Sequence, residues 1–215
     1  MMISPETYRE LHLKGKTIEE IEKEIRSLKR TISKQKKILD NPYDYQEEMM
    51  IHPDPQVVLF CSRDYLIEAK KALIEAGGEY KPTKREVEQE WFIDNICNIK
   101  RLSFKEGDYL YMCDLTAEPV VFTRINEKTG KEDVATDDYY DTKEEVLDFL
   151  ESLHIEEWKK VYKAEEDPKI PNDMPWELHI ERLNTEDAGA YEIISYKGIN
   201  RRPYDLVELE DFFGV

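Results

Sequence analysis

At 215 residues, with 40% hydrophobic and 37% charged, the chain holds enough apolar side chain for a packed interior and is not a disordered polymer. Its net charge of −17 is uneven: residues 1–40 carry ten Lys/Arg against seven Asp/Glu, so the remaining 175 carry about −20. A body that acidic is repelled by phosphate backbones and anionic lipid heads, which argues against direct nucleic-acid or membrane binding and suits a basic protein partner.

The first predicted element is a short helix within 4–14, with Ser4 as cap, Pro5 in the first turn, and Tyr8 and Leu11 on one face. Gly15 breaks it. Thr17 then caps a long helix to Asp40, and Glu20 completes a capping box. Its residues Ile18, Ile21, Ile25, Leu28, Ile32, Gln35 and Leu39 follow a 3-4-3-4 spacing, the seam of a coiled coil. Six bases from Arg26 to Lys37 fall on the outer positions and read as a solvated face, with an anionic ligand as the sharper alternative. Asn41-Pro42 ends the helix, and residues 41–54 form a loop.

Asp54-Pro55 opens a second long helix, which runs to Ala76 and stops at Gly77-Gly78. Two apolar rows lie side by side on it (Leu59, Leu66, Leu73 and Phe60, Ile67, Ile74), beside a thin row of Ser62, Ala69 and Ala76. So much apolar circumference predicts burial on two sides, between the heptad helix and the rest of the protein. The seam is thereby satisfied within the chain, and a homodimer through the Ile18–Leu39 helix is the second option.

Thr83 and Glu86 repeat the capping box for a shorter helix to Asp94, with Val87 and Trp91 expected inward. Ile96–Phe104, Tyr109–Leu115 and Val120–Ile125 are β-branched and aromatic, with turns at 105–108 and 126–131 and a weak strand near Val134, so an antiparallel meander is predicted. A third box, Thr142 with Glu145, starts a helix with Val146, Phe149, Leu150 and Leu153 inward, continuing through Trp158 and Tyr162. Pro168, Pro171 and Pro175 read as a stiff linker. Trp176–Leu183 and Tyr191–Lys197 are two further strands, and Pro203 opens a last helix containing Leu206, Leu209, Phe212 and Phe213.

The fold class that results is α+β: an N-terminal long-helix hairpin (1–80) packed on an antiparallel β-sheet with additional helices (81–215), sharing one continuous core. LHIEEWKKVY (153–162), WELHI (176–180), YKGINRRPYD (196–205) and FFG (212–214), with the opening MISPETYRELHLKGKTIEEI, resemble an uncharacterised family of small bacterial proteins. That resemblance implies the architecture and carries no activity, cofactor or functional residue. A second likeness is local: Leu178, Ile180, Leu183, Asp187, Gly189 and Tyr191 match the tyrosine corner of immunoglobulin-like domains. Ile193 stands where that fold has cysteine, and a helix precedes the motif where strands are required, so the match reads as a chance strand–turn–strand.

The best metal-ligand candidates are Glu177, His179 and Glu181, which strand alternation puts on one face opposite Trp176, Leu178 and Ile180. A half-solvated strand shows the same alternation without a metal. Glu151-x-x-His154 has di-iron spacing but lacks the second motif that chemistry requires. Cys61, Cys97 and Cys113 are far apart and read as small hydrophobes in a reducing, cytoplasmic setting; Gly-rich phosphate loops are absent, and no cofactor is expected. From Glu132 to Glu157 eleven acids accompany one base, Lys143, either as a wet helix face or as a surface for a basic partner. The expectation is a non-enzymatic interaction protein. Its alternatives are an inhibitor or immunity-type protein that mimics nucleic acid, and a small metal-dependent enzyme using Glu177, His179 and Glu181.

Overall fold

The computed structural model describes residues 3–42, 44–135, 140–163, 175–184, 189–199 and 201–215. The expected linker prolines Pro168 and Pro171, Asp187 of the corner motif, and Asp137, Asp138 and Tyr139 of the acidic turn lie outside them. The fold class is α+β, and the chain divides into two compact units, Met1–Pro82 and Thr83–Val215.

In the first unit, Ser4 caps α1 (Pro5–Tyr8), which continues as a π turn over Arg9–Leu13. There the Lys14 N–H reaches back five residues to the Arg9 carbonyl at 3.0 Å. The wider turn shifts the apolar phase, so Leu11 is 69% exposed and Leu13 is buried. The expected pairing of Tyr8 with Leu11 is thereby corrected to Tyr8 with Leu13. Thr17 opens α2 (Ile18–Leu39) with the expected box: Thr17 Oγ1 accepts the Glu20 N–H at 3.3 Å, and the Glu20 carboxylate accepts the Thr17 N–H at 2.8 Å. One short helix, α3 (Gln46–Met49), interrupts the loop that follows.

The second long helix, α4 (Pro55–Glu75), starts where Asp54 accepts the Gln56 N–H at 2.7 Å, and Gly77 ends it with φ 82°. Ile21, Ile25 and Leu28 of α2 pack with Tyr65, Ala69 and Leu73 of α4, and Tyr8 and Leu13 complete that core. Buried Ser62 and Ala69 make the small-residue row part of the covered face. Within this unit α4 is buried along one side, against α1 and α2. Phe60, Ile67 and Ile74 are 64%, 51% and 62% exposed, because α1 and α2 occupy the adjoining flanks and leave this row uncovered. Of the heptad seam of α2, Ile21, Ile25 and Leu28 enter the hairpin core and Leu39 is buried, while Ile18 is 38% exposed.

The second unit begins with α5 (Lys84–Asp94), followed by the strands β1 (Ile99–Glu106), β2 (Tyr109–Asp114), β3 (Val121–Asn126) and β4 (Lys131–Ala135). These four form the expected antiparallel meander. Next come α6 (Lys143–Ser152), β5 (Val161–Lys163), β6 (Trp176–Leu183), β7 (Tyr191–Ile199) and α7 (Leu206–Phe213). The sheet order is β4-β3-β2-β1-β6-β7-β5, with β5 parallel to β7 and the other neighbours antiparallel. One face carries Leu102, Phe104, Tyr111, Cys113, Phe122, Trp176, Leu178, Ile180 and Tyr196 into a core with α6, α7 and Phe92 of α5. The burial alternates along β6 because successive side chains point to opposite faces.

Three expectations for this unit are corrected. The helix begun at Thr142 ends at Ser152, because His154 adopts a left-handed conformation (φ 50°). Trp158 and Tyr162 are still buried, but from a 3₁₀ turn's end and from β5. Val87 and Trp91 are 49% and 42% exposed, and Phe92 is the α5 residue that enters the core. Ile96–Asn98 is a 3₁₀ turn, so the first strand starts at Ile99. Of the corner-like segment, the described residues 178–183 and Tyr191 lie in the paired strands β6 and β7, with Leu183 opposite a 59% exposed Tyr191.

Candidate functional site

The sheet face opposite the core presents the predicted trio. Pairing places Glu181 beside Arg101, His179 beside Ser103, and Glu177 beside Lys105 on β1, while β7 puts Ile193, Ser195 and Lys197 on their other side. Arg101, Ser103, His179, Glu181, Ile193 and Ser195 line a shallow depression of about 420 Å³. His179 Nδ1 and Ser195 Oγ share a hydrogen bond at 2.8 Å, with the proton's owner set by the imidazole tautomer. His179 Nε2 lies 3.5 Å from Glu177, and Arg101 lies 3.7 Å from Glu181 and 3.4 Å from Asp114. Burial alone would raise the Asp114 carboxyl, but the Thr116 hydroxyl and amide, with Arg101, outweigh it and hold it below the usual range.

Alternation thus brings Glu177, His179 and Glu181 to one face, where His179 Nε2 meets Glu177 while Glu181 turns to Arg101. Among the described residues no group of three or more His, Cys, Asp or Glu is gathered to hold a metal ion. Glu151 and His154 are separated in role, since His154 turns left-handed and its Nδ1 sits 3.3 Å from Glu156. Ser195 with His179 has the ingredients of an activated nucleophile. The surrounding amides, however, are committed to the β1–β6–β7 ladder rather than aimed at an oxyanion.

Within the acidic stretch, the described residues on α6 form a defined surface. Thr142 and Glu145 form the expected capping box, which fixes the phase of α6. Val146 and Leu150 then face the core, and Asp141, Glu144, Glu145, Asp148 and Glu151 are all exposed. The single base, Lys143, is drawn off this surface: its Nζ donates to the Cys97 carbonyl at 2.5 Å. Desolvation there, with Lys100 nearby, lowers its pKa. By composition, the first unit has 15 Asp/Glu against 14 Lys/Arg and the second 33 against 17, so the chain's excess charge, −16 of −17, sits on the second unit.

A further cluster went unseen in the sequence. Arg182 is 3% exposed, its guanidinium lies 3.9 Å from the Trp91 ring centre, and its Nη2 donates to Glu192 at 2.9 Å. A bulge in β1 between Ile99 and Arg101 lies opposite it. Lys160 sits with its amine 4.0 Å from the Tyr196 ring centre, and burial plus the Arg182 charge push its pKa down to about 8. Burial likewise holds the Tyr196 phenol well above its ordinary range. The available signal was Arg182 itself, a charge on the apolar phase of WELHIERL; nothing in the sequence placed Lys160 beside it.

No helix among the described residues is long and apolar enough to cross a membrane. The chain matches no family model, no curated protein and no solved structure.

Proposed function

We propose that the chain is a non-enzymatic protein–protein interaction module that captures a basic partner on the acidic second unit. The observation that carries this reading is the outward face of α6, where five exposed carboxylates from Asp141 to Glu151 stand together and the one local base is turned away. Such a face raises the local concentration of a cationic partner and steers its approach. The module acts in a reducing, cytoplasmic setting that keeps Cys61, Cys97 and Cys113 as thiols. In its narrower form the face imitates a polyanion, and the protein is an inhibitor or immunity-type protein for a nucleic-acid-binding partner.

Affinity capture on immobilised full-length chain, followed by salt elution, tests it. A specific basic partner that is held at physiological salt and released as the ionic strength is raised above it is expected, and competition by duplex DNA supports the narrower form. Absence of a specific partner at physiological salt, or capture that salt does not weaken, overturns the proposal.

A further inference from the structure

We propose that α4 pairs with α4 of a second copy of the chain, antiparallel, along the stripe Val57, Phe60, Asp64, Ile67, Lys71 and Ile74. These positions follow a 3-4-3-4-3 spacing, the seam geometry of a helix pair, over roughly 26 Å of helix at 1.5 Å per residue. The other flanks of α4 are taken. Tyr65, Ala69 and Leu73 belong to the hairpin core, and Glu68 and Glu75 pair with Arg9. What is left outward is unusual for a helix surface: Val57, Phe60, Ile67 and Ile74 are 46%, 64%, 51% and 62% exposed. Together they expose on the order of 400 Å² of apolar side chain, in the range of the largest, often functional, patch on a monomer.

The arrangement of charge within the stripe selects the occupant. Asp64 and Lys71 lie on either side of Ile67, three residues before it and four after. A two-fold axis through Ile67 therefore sets Phe60 against Ile74 of the second copy, Ile67 against Ile67, and Asp64 against Lys71, with each unlike contact occurring twice. The isologous interface is self-complementary. A parallel pair would instead oppose Asp64 to Asp64 and Lys71 to Lys71, so the sequence disfavours that register. In the single chain the exposed Lys71 already bonds the mostly covered Glu68 at 2.7 Å, and its amine has further protons to give Asp64 of the second copy without breaking that bond. The seam of α2 plays no part, since Ile21, Ile25 and Leu28 are buried within the hairpin.

Sedimentation velocity and light scattering on the full chain over a range of protein concentrations test the pairing. Far-UV circular dichroism serves as the folding control. A dimer is expected in the micromolar range. Ile67→Glu, which puts like charges on the axis, and Asp64→Lys, which opposes two pairs of lysines, should each weaken it at least tenfold. The double swap Asp64→Lys with Lys71→Asp should restore it, because the exchanged charges again meet unlike partners. A chain that stays monomeric at hundreds of micromolar overturns the inference. So does a dimer indifferent to Ile67→Glu, or a double swap that leaves the Asp64→Lys defect uncorrected.

Discussion

Gly198 in β7 lies where the Trp176 indole crosses the strand to donate its Nε1–H to the Arg201 carbonyl at 3.1 Å. A Cβ built on Gly198 meets the Arg201 carbonyl oxygen and Trp176 Nε1 at 2.3 Å each, and Trp176 Cε2 at 2.6 Å. Two of these obstacles belong to a buried ring and the third is backbone, so none can swing away as a flexible chain end would. In Gly198→Ala the ring and the carbonyl must separate by roughly 1 Å, an overpacking strain of about 1–3 kcal/mol. The same shift breaks the indole hydrogen bond and leaves a buried N–H unpaired, adding about 1–3 kcal/mol. A total loss of about 2–6 kcal/mol is a large part of the roughly 5–15 kcal/mol typical of a domain. Urea denaturation followed by tryptophan fluorescence measures it. A loss below about 1 kcal/mol with the indole environment unchanged would show that the close approach at Gly198 is misjudged.

Other consequences follow from the same geometry. Thr17→Ala removes the oxygen that accepts the Glu20 N–H, and should cost about 1 kcal/mol, seen as faster amide exchange in the first turn of α2. Tyr65→Phe deletes a hydroxyl that donates to the Ile3 carbonyl at 2.6 Å and accepts the Ile3 N–H at 3.0 Å. It should release the chain before α1, with a loss of about 1–2 kcal/mol; unchanged exchange protection around Ile3 would contradict this. The Lys160 amine is pushed down to about 8 from its ordinary 10.5, so between those values the unfolded chain holds a proton that the folded one has released. Stability should therefore rise with pH across that window, with the penalty fully present below about pH 8. Lys160→Gln should flatten the rise relative to the parent chain, and an equal slope in both proteins would remove Lys160 as its source.

What the sequence made legible was local and punctuated. All three Thr-x-x-Glu boxes form, because each needs only residues three apart and no tertiary help. The meander was readable from β-branched runs and short turns, and β6 from its strict alternation. The errors arose where a tertiary partner decided the outcome. Trp158 and Tyr162 keep helical spacing to Leu150 and Leu153, yet a left-handed His154 redirects them, and their burial is satisfied equally well from a 3₁₀ turn and a parallel strand. Trp91 was expected inside as a large apolar ring, but its face covers the buried Arg182 guanidinium, which leaves its edge in solvent. The π turn at Arg9–Leu13 moved the inward partner of Tyr8 from Leu11 to Leu13, a change that apolar periodicity does not signal. At the sheet face, alternation correctly grouped Glu177, His179 and Glu181. Their partners Arg101 and Ser195 depended on which strands flank β6, and that order required the β6–β1 pairing across more than seventy residues.

The charge on the acidic face of α6 can be altered without touching the core or the cap. Glu144→Gln, Asp148→Asn and Glu151→Gln together remove three exposed charges while keeping Glu145 in its capping box and Val146 and Leu150 buried. Isothermal titration of the captured partner at several salt concentrations, for the parent and the triple variant, gives the most direct test. Weaker binding by the variant is expected, with a shallower dependence of log affinity on log salt. Equal affinity with equal salt slope would contradict docking on α6.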